Sequence, residues 1–194
     1  ALRATRAPGA AARAAILRTA RGERREVDLG PYVRSLGTFD GRLRVTAVDR
    51  ANGRRVVFGA PGAPKAGVAE AVLASCSVPW VFAPVEIGGR EYVDGGVWSM
   101  SNLDAAPTRR QSEVLALLPT FGRGAGGGAA SLLRAAGQAA GLAELQILRT
   151  RGARTRIVAP DANTIEAMGS DLLASGPIKA VYAAGRTQGA AFTA

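Results

Sequence analysis

The segment "LRVTAVDRANGRRVVFG" constrains the fold more than any other part of this chain. Apolar residues alternate on both sides of Asn52-Gly53, which is the pattern of two half-buried strands joined by a turn. Asn-Gly is the strongest short-range hairpin signal, because it supplies the positive φ that a tight turn needs. The segment therefore predicts an antiparallel β-hairpin with a tight turn at Asn52-Gly53.

Helices and strands are predicted to alternate after this hairpin. Apolar residues at helical spacing predict a helix over 67–78, and "REYVDGG" is a short strand that stops at glycine. The apolar run at 112–120 suits a buried parallel strand, and 154–160 is another strand. Further helices are predicted over 8–20, 163–168 and 177–186, and one or two helices over 129–152. This alternation indicates an α/β fold with helices on the faces of a sheet.

One glycine-rich segment, 122–130, formally contains the pattern G-x-G-x-x-G. The tripeptide "PTF" separates it from the preceding strand, whereas a dinucleotide-binding turn follows its strand at once. No acidic residue stands at a second strand end about 20 residues later. We therefore expect a mobile loop here and no nucleotide cofactor.

The chain has no histidine, and Cys76 is its one cysteine. Within these 194 residues there is consequently no Ser-His-Asp triad, no Cys-His pair, no disulfide framework and no ordinary zinc site. Any hydrolytic chemistry must use a carboxylate, a lysine or a group supplied from elsewhere.

The formal net charge of +10 raises nucleic acid and anionic membranes as partners. Lys65 and Lys179 are the only lysines, and the arginines are spread from Arg3 to Arg186 without forming one stripe. A basic total without a localised patch is weak evidence for nucleic-acid binding. We expect no nucleic-acid partner, and peripheral contact with an anionic membrane stays open.

The stretch "REYVDGGVWSMSN" places Asp94 at the end of a short apolar strand, before Gly95 and Gly96. An ordinary Asp-Gly turn is one interpretation, since both residues favour turns. The other is a carboxylate held in a fixed place, whose pKa the apolar neighbours would raise. The glycines would then allow a sharp turn and the close approach of another segment, and Asn102 would hold the following loop by side-chain to backbone hydrogen bonds.

The wider segment "VLASCSVPWVFAPVEIGGREYVDGGVWSMSN" resembles the carboxy-terminal half of the patatin-like phospholipase domain. The resemblance extends over about residues 40–190 and is densest at 72–102. Its matching elements are Ala74-Ser75 at a helix end, Pro79, Phe82, Pro84-Val85, Asp94-Gly95-Gly96 and Asn102. Trp80 and Phe82 are expected in the wall or core of the domain.

This resemblance implies a three-layer α/β/α sandwich and the hydrolysis of lipid or other acyl esters. The family uses a serine-aspartate dyad, with the serine on a G-x-S-x-G elbow and an upstream glycine-rich oxyanion loop. Asp94 matches the dyad aspartate, with Gly95, Gly96 and Asn102 as supporting motif residues. A two-residue dyad needs no histidine, metal or cofactor.

Two departures from the family pattern limit the prediction. No G-x-S-x-G occurs in the chain, and Leu103 departs from the family's usual proline after the asparagine. We expect one partial domain over 1–194 that lacks the amino-terminal strands with the nucleophile elbow. The chain alone should then be inactive, as a fragment of a hydrolase or a degenerate relative. The alternatives are a non-catalytic interaction domain and a basic nucleic-acid-binding protein.

Overall fold

The computed structural model describes residues 10–19, 29, 33, 37–121, 129–169 and 176–193. The chain divides into two compact units, Ala1–Ala106 and Pro107–Ala194. Helices and strands occur in both, so the α/β class predicted from the sequence is confirmed. The three-layer sandwich and the single domain over 1–194 remain predictions. Most of the glycine-rich segment, 122–128, lies outside the described residues.

The first unit contains a four-stranded antiparallel sheet in the order β2-β1-β4-β3. Strands β1 and β4 occupy its centre, so a residue at the end of β4 has neighbours on both sides. The elements are α1 (Ala10–Thr19), β1 (Val45–Asp49), β2 (Arg55–Phe58), α2 (Val68–Ser75), β3 (Val85–Ile87) and β4 (Arg90–Asp94). Two 3₁₀ turns follow, Gly95–Val97 and Leu103–Ala105.

The predicted hairpin is confirmed, with β1 and β2 paired antiparallel. Its connection, however, has five residues, 50–54, and only Gly53 among them has a positive φ, +66°. The turn expected at Asn52-Gly53 is present, but positive φ is found at Gly53 and not at Asn52, and the connection extends on both sides of the pair. The physical reason is Asp49, whose carboxylate accepts hydrogen bonds from the Ala51 N–H at 3.0 Å and the Asn52 amide at 3.1 Å. These bonds stabilise the longer turn.

A second hairpin joins β3 to β4 through Gly88 and Gly89, whose φ angles are +60° and +74°. Positive φ at both central residues is the requirement of a type I′ turn, and two glycines meet it without steric cost. Strand β3 was not anticipated, although Gly-Gly between two short runs is a recognised hairpin signal. This hairpin determines where β4 begins, and Asp94 is the last residue of that strand.

Helix α2 packs on the sheet through small residues. Ala71 and Ala74 are fully buried in one apolar cluster with Ala47 of β1. Phe58 and Tyr92 belong to the same cluster and make an edge-to-face contact, with their ring centroids 5.2 Å apart. Such pairs contribute about 0.5–1.5 kcal/mol beyond the area they bury. The strand that ends at Asp94 is thereby anchored through Tyr92 in the core.

Within its described residues, the second unit contains a two-stranded parallel sheet and three helices. The predicted parallel arrangement is confirmed, but the expectation that the first strand is buried is wrong, because Leu115 and Leu117 are 58% and 66% exposed. Exposure alternates along that strand, with Ala116 buried, as expected when one face of a sheet is covered. The elements are β5 (Glu113–Leu117), α3 (Ala129–Thr150), β6 (Arg154–Val158), α4 (Ala162–Met168) and α5 (Ile178–Thr193).

Candidate active site

Asp94 is the last residue of β4 and is held from two directions. It lies opposite Ala47 of β1 in the sheet register. Its backbone N–H donates a hydrogen bond of 3.0 Å to the carbonyl oxygen of Ser77, which follows α2. Ser77 is itself fully buried, and its hydroxyl donates to the Leu73 carbonyl at 2.9 Å. A strand end bonded on both sides fixes the position of its last side chain.

The Asp94 carboxyl is half-buried, and burial raises its pKa above the ordinary aspartate value. The Gly96 N–H donates to Oδ1 at 2.6 Å, which favours the carboxylate and offsets part of this rise. The other oxygen, Oδ2, accepts no hydrogen bond within the described part of the chain. Asp94 thus combines a fixed position, a raised pKa and one unused acceptor, three properties that suit a general base.

The Asp94 charge also acts on the neighbouring thiol. Burial, and to a lesser extent the negative charge of Asp94, raise the pKa of Cys76. A raised pKa keeps the sulfur protonated at neutral pH, and the thiol form is a poor nucleophile. This favours Cys76 as a small packing residue over a nucleophile.

Gly95 and Gly96 are required for space and not for backbone conformation, since neither has a positive φ. A Cβ on Gly95 would lie 2.5 Å from the Thr46 carbonyl oxygen and 2.6 Å from its Oγ1. A Cβ on Gly96 would lie 2.8 Å from Oδ1 of Asp94. The first glycine lets the chain pass against β1, and the second leaves room for the carboxylate.

A turn is nevertheless present, so the structural interpretation of the motif has a basis. Asp94 is the N-cap of the 3₁₀ turn Gly95–Val97, because its side chain accepts from the Gly96 N–H. This cap uses only Oδ1. The capping role and a catalytic role of the second oxygen are therefore compatible.

Asn102 holds the loop that follows this turn. Its side-chain amide donates to the carbonyl oxygens of Gly95, at 3.1 Å, and Ser99. Its backbone is left-handed, with φ +49°, a conformation that asparagine tolerates better than most residues. Its Oδ1 accepts a 3.1 Å hydrogen bond from Arg55 of β2. Asn102 consequently connects residues within the loop after Asp94 and also connects that loop to strand β2.

Arg55 is a site residue that the sequence did not reveal. Its guanidinium donates to both carboxylate oxygens of Asp104, at 2.6 and 2.7 Å, in a bidentate pair. The two side chains are only 15% and 20% exposed. Their separation of 49 positions in the chain hides the pair from sequence reasoning. The one available signal was a charge at the start of an otherwise apolar strand.

Trp98, next to the 3₁₀ turn, contacts two arginines. The guanidinium carbon of Arg13 lies 4.3 Å from the ring centroid, and that of Arg55 lies 5.3 Å from it. Both distances are within the range of cation–π attraction. Arg13 is buried in α1, and burial lowers its pKa. Together with the Arg55 pair, these contacts brace the loop that carries Asn102 and Asp104.

Substituting Arg55 tests this bracing. Arg55→Met should lower the free energy of unfolding by about 2–3 kcal/mol, because it leaves Asp104 half-buried without its bidentate partner. Urea denaturation is the measurement. The matched control is Arg54→Met, which changes an exposed neighbouring arginine in the same way. Equal losses in the two variants would show that the pair does not brace the loop.

The turn before β3 carries an unusual aromatic residue. Val78 and Val81 close it through a 3.1 Å backbone hydrogen bond, with Pro79 and Trp80 in between. Trp80 has a φ of +67° and is 56% exposed. The expectation that Trp80 is a wall or core residue is therefore wrong. Positive φ in a bulky side chain costs on the order of 1–3 kcal/mol, so the turn keeps this residue at the expense of stability.

Within the described ranges, no three His, Cys, Asp or Glu side chains come together as a metal site. No helix in that part of the chain is both long enough and apolar enough to span a bilayer.

The sequence was also compared with known proteins. The family model for patatin-like phospholipase matches residues 4–107. This range contains Asp94, Gly95, Gly96 and Asn102, and it nearly coincides with the first compact unit. The match begins earlier than the resemblance expected from about residue 40, and it does not extend over 108–190. No curated protein matches the chain. A match over more than half of the 194 residues, centred on the unit that carries the candidate site, places this chain in the patatin-like phospholipase family.

Proposed function

We propose that the protein hydrolyses acyl esters of lipids with a serine-aspartate dyad in which Asp94 is the general base. Membership of a family of lipid acyl hydrolases supports the reaction class. The observation that carries the assignment is the Asp94 carboxyl itself, half-buried at the end of a central strand with a raised pKa. Its Oδ2 is the oxygen proposed to receive the serine proton.

The reaction proceeds in two steps. Oδ2 takes the hydroxyl proton as the serine oxygen attacks the ester carbonyl, and the tetrahedral intermediate expels the alcohol, which receives that proton. Water then attacks the acyl-serine, giving up a proton to Asp94, and the free acid leaves as the serine is reprotonated. Backbone N–H groups of an oxyanion loop stabilise the charge on the carbonyl oxygen in both steps. The cycle consumes one water and requires no metal or cofactor.

The serine and the oxyanion loop must come from outside these 194 residues, since the chain contains no G-x-S-x-G. We propose that they belong to further strands of a three-layer α/β/α sandwich, of which 1–194 forms the later part of one domain. The isolated chain would then be inactive, because losing the nucleophile costs around 10⁶-fold in comparable serine hydrolases. Lipid is the proposed substrate, and nucleic acid is not a proposed partner.

The pH dependence of hydrolysis tests the assignment. For the serine-containing protein, kcat/KM toward a soluble nitrophenyl ester should rise with pH along an acid limb whose midpoint lies above the ordinary aspartate value of about 3.9. The reason is that only ionised Asp94 accepts a proton, and its pKa is raised. A profile that stays flat down to about pH 3.5 would contradict Asp94 as the base.

Folding stability should show the complementary trend. Because the folded-state pKa of Asp94 is raised, its contribution to stability is fully present below the unfolded-state pKa and is lost as pH rises through the folded value. The same ionisation that activates the base therefore weakens the fold.

The second candidate is a non-catalytic patatin-like domain, favoured by the missing G-x-S-x-G motif. Labelling with a fluorophosphonate, which reacts with activated serines, separates the two functions. A protein that neither hydrolyses soluble esters nor takes up the label would support the non-catalytic candidate.

A further inference from the structure

The turn 78–81 presents a tryptophan where a glycine would be expected. Pro79 takes the second position, and Trp80, with positive φ, takes the third. This is the pattern of a type II turn, whose third position ordinarily holds glycine or asparagine. Backbone strain of this kind concentrates at functional sites. The turn therefore holds a large apolar side chain at the surface despite this backbone strain.

The residue before this turn is hydrogen-bonded to the backbone of the candidate base. The turn starts directly after Ser77, whose carbonyl oxygen accepts the Asp94 N–H at 3.0 Å. Val81, the next residue of the turn, is also exposed. On the other side of Asp94, Met100 is exposed, and its sulfur lies 3.4 Å from the position of a Cβ on Gly96. Exposed apolar side chains therefore leave both segments that flank the Asp94 strand end.

We propose that Trp80, with Val81 and Met100, is a docking surface for a phospholipid bilayer, and that it brings the Asp94 site to the lipid. The inference rests on the proposed function, because a lipid acyl hydrolase meets its substrate in a bilayer. Tryptophan favours the headgroup region, where its ring is in apolar surroundings and its N–H meets water. The net charge of +10 adds attraction to anionic lipids. We define Trp80, Val81 and Met100 as the apolar rim.

Trp80→Gly in the serine-containing protein is the decisive variant. Glycine relieves the positive φ, so the melting temperature should stay the same or rise. Binding to vesicles of phosphatidylcholine with 20% phosphatidylglycerol, measured by co-sedimentation, should weaken about tenfold or more, because one large apolar side chain no longer enters the bilayer. The ratio of vesicle-lipid to soluble-ester hydrolysis should fall by a similar factor. A loss of binding without a loss of stability cannot come from unfolding.

Tyr182→Ala is the matched control, since it removes an exposed aromatic residue from helix α5. It should leave vesicle binding and both hydrolysis rates unchanged. Equal losses of vesicle binding in the two variants would overturn the proposal, because any exposed aromatic side chain would then contribute to binding. Shielding of Trp80 from acrylamide quenching before lipid is added would also overturn it, as would a dimer that Trp80→Gly dissociates.

Asp94→Asn separates this proposal from the proposed function. If both are right, Asp94→Asn abolishes hydrolysis of soluble and vesicle esters while vesicle binding persists. Trp80→Gly then loses vesicle binding and hydrolysis of vesicle lipid, and still hydrolyses the soluble ester. Loss of vesicle binding in Trp80→Gly with full activity in Asp94→Asn would keep the docking surface and reject the dyad. Unchanged vesicle binding in Trp80→Gly would reject the docking surface alone.

Discussion

Replacing Asp94 with asparagine is expected to lower ester hydrolysis by at least about 10⁴-fold while leaving the fold intact or more stable. Asparagine keeps an oxygen that can accept the Gly96 N–H, so the cap on the 3₁₀ turn is preserved. It cannot take a proton from the serine, and in a dyad no second base is available. The measurement is kcat/KM for a soluble nitrophenyl ester, beside thermal melting of the same preparation.

The expected rise in stability gives this variant a second readout. Burial raises the pKa of Asp94, so ionisation at neutral pH destabilises the fold. An uncharged amide removes that penalty, and its benefit should shrink as pH falls and the wild-type carboxyl becomes protonated. Loss of activity with a gain in stability at neutral pH is the signature of a carboxylate kept for function.

Asp40→Asn is the matched control, because it makes the same chemical change at an exposed aspartate. It should retain wild-type kcat/KM. If Asp94→Asn also retained activity, Asp94 would be only a capping residue, and the dyad assignment would be rejected.

Gly95→Ala is expected to have the second-largest effect. The added methyl group would meet the Thr46 carbonyl oxygen at 2.5 Å, and a backbone atom in a central strand cannot move aside as a side chain can. Overpacking of this kind costs about 1–3 kcal/mol. If the chain shifts to relieve the contact, Asp94 moves with it, and a displacement near 1 Å can cost about 10²-fold in rate. Urea denaturation and ester hydrolysis measure the two effects.

Two further variants identify the cause. Gly185→Ala places the same methyl group in open space on helix α5 and should stabilise the protein by roughly 0.5–1 kcal/mol. Adding Thr46→Ala to Gly95→Ala should recover little, since the nearest atom is the backbone carbonyl and not the side chain. Full recovery in the double variant would instead assign the effect to the Thr46 hydroxyl.

The sequence predicts the local part of the candidate site well. Strand β4 and the helix before it follow from apolar periodicity, which depends only on residues close in the chain. The family resemblance drew attention to Asp94, Gly95, Gly96 and Asn102, and the structure describes all four in one compact unit. Their catalytic roles remain predictions.

Features that depend on particular side-chain partners or on burial in the folded chain were missed or predicted wrongly. The Arg55–Asp104 pair joins residues far apart in the chain, and no local pattern marks it. The connection 50–54 extends beyond Asn52-Gly53 because the Asp49 carboxylate caps it, a local contact that the Asn-Gly pattern does not include. The apolar run of β5 suggested burial, yet exposure depends on which face of the sheet is covered, and Leu117 is exposed.

The sequence alone predicted most of the elements, the family and a candidate site without histidine in these 194 residues, because these depend on residue identity and on short spacings. Only the tertiary structure decided that Gly95 is needed for space beside Thr46 and that Trp80 stands at the surface. It also decided that burial raises the pKa of Asp94. Steric clearance, solvent exposure and desolvation are set by atoms from several segments at once, and these segments meet only when the chain has folded.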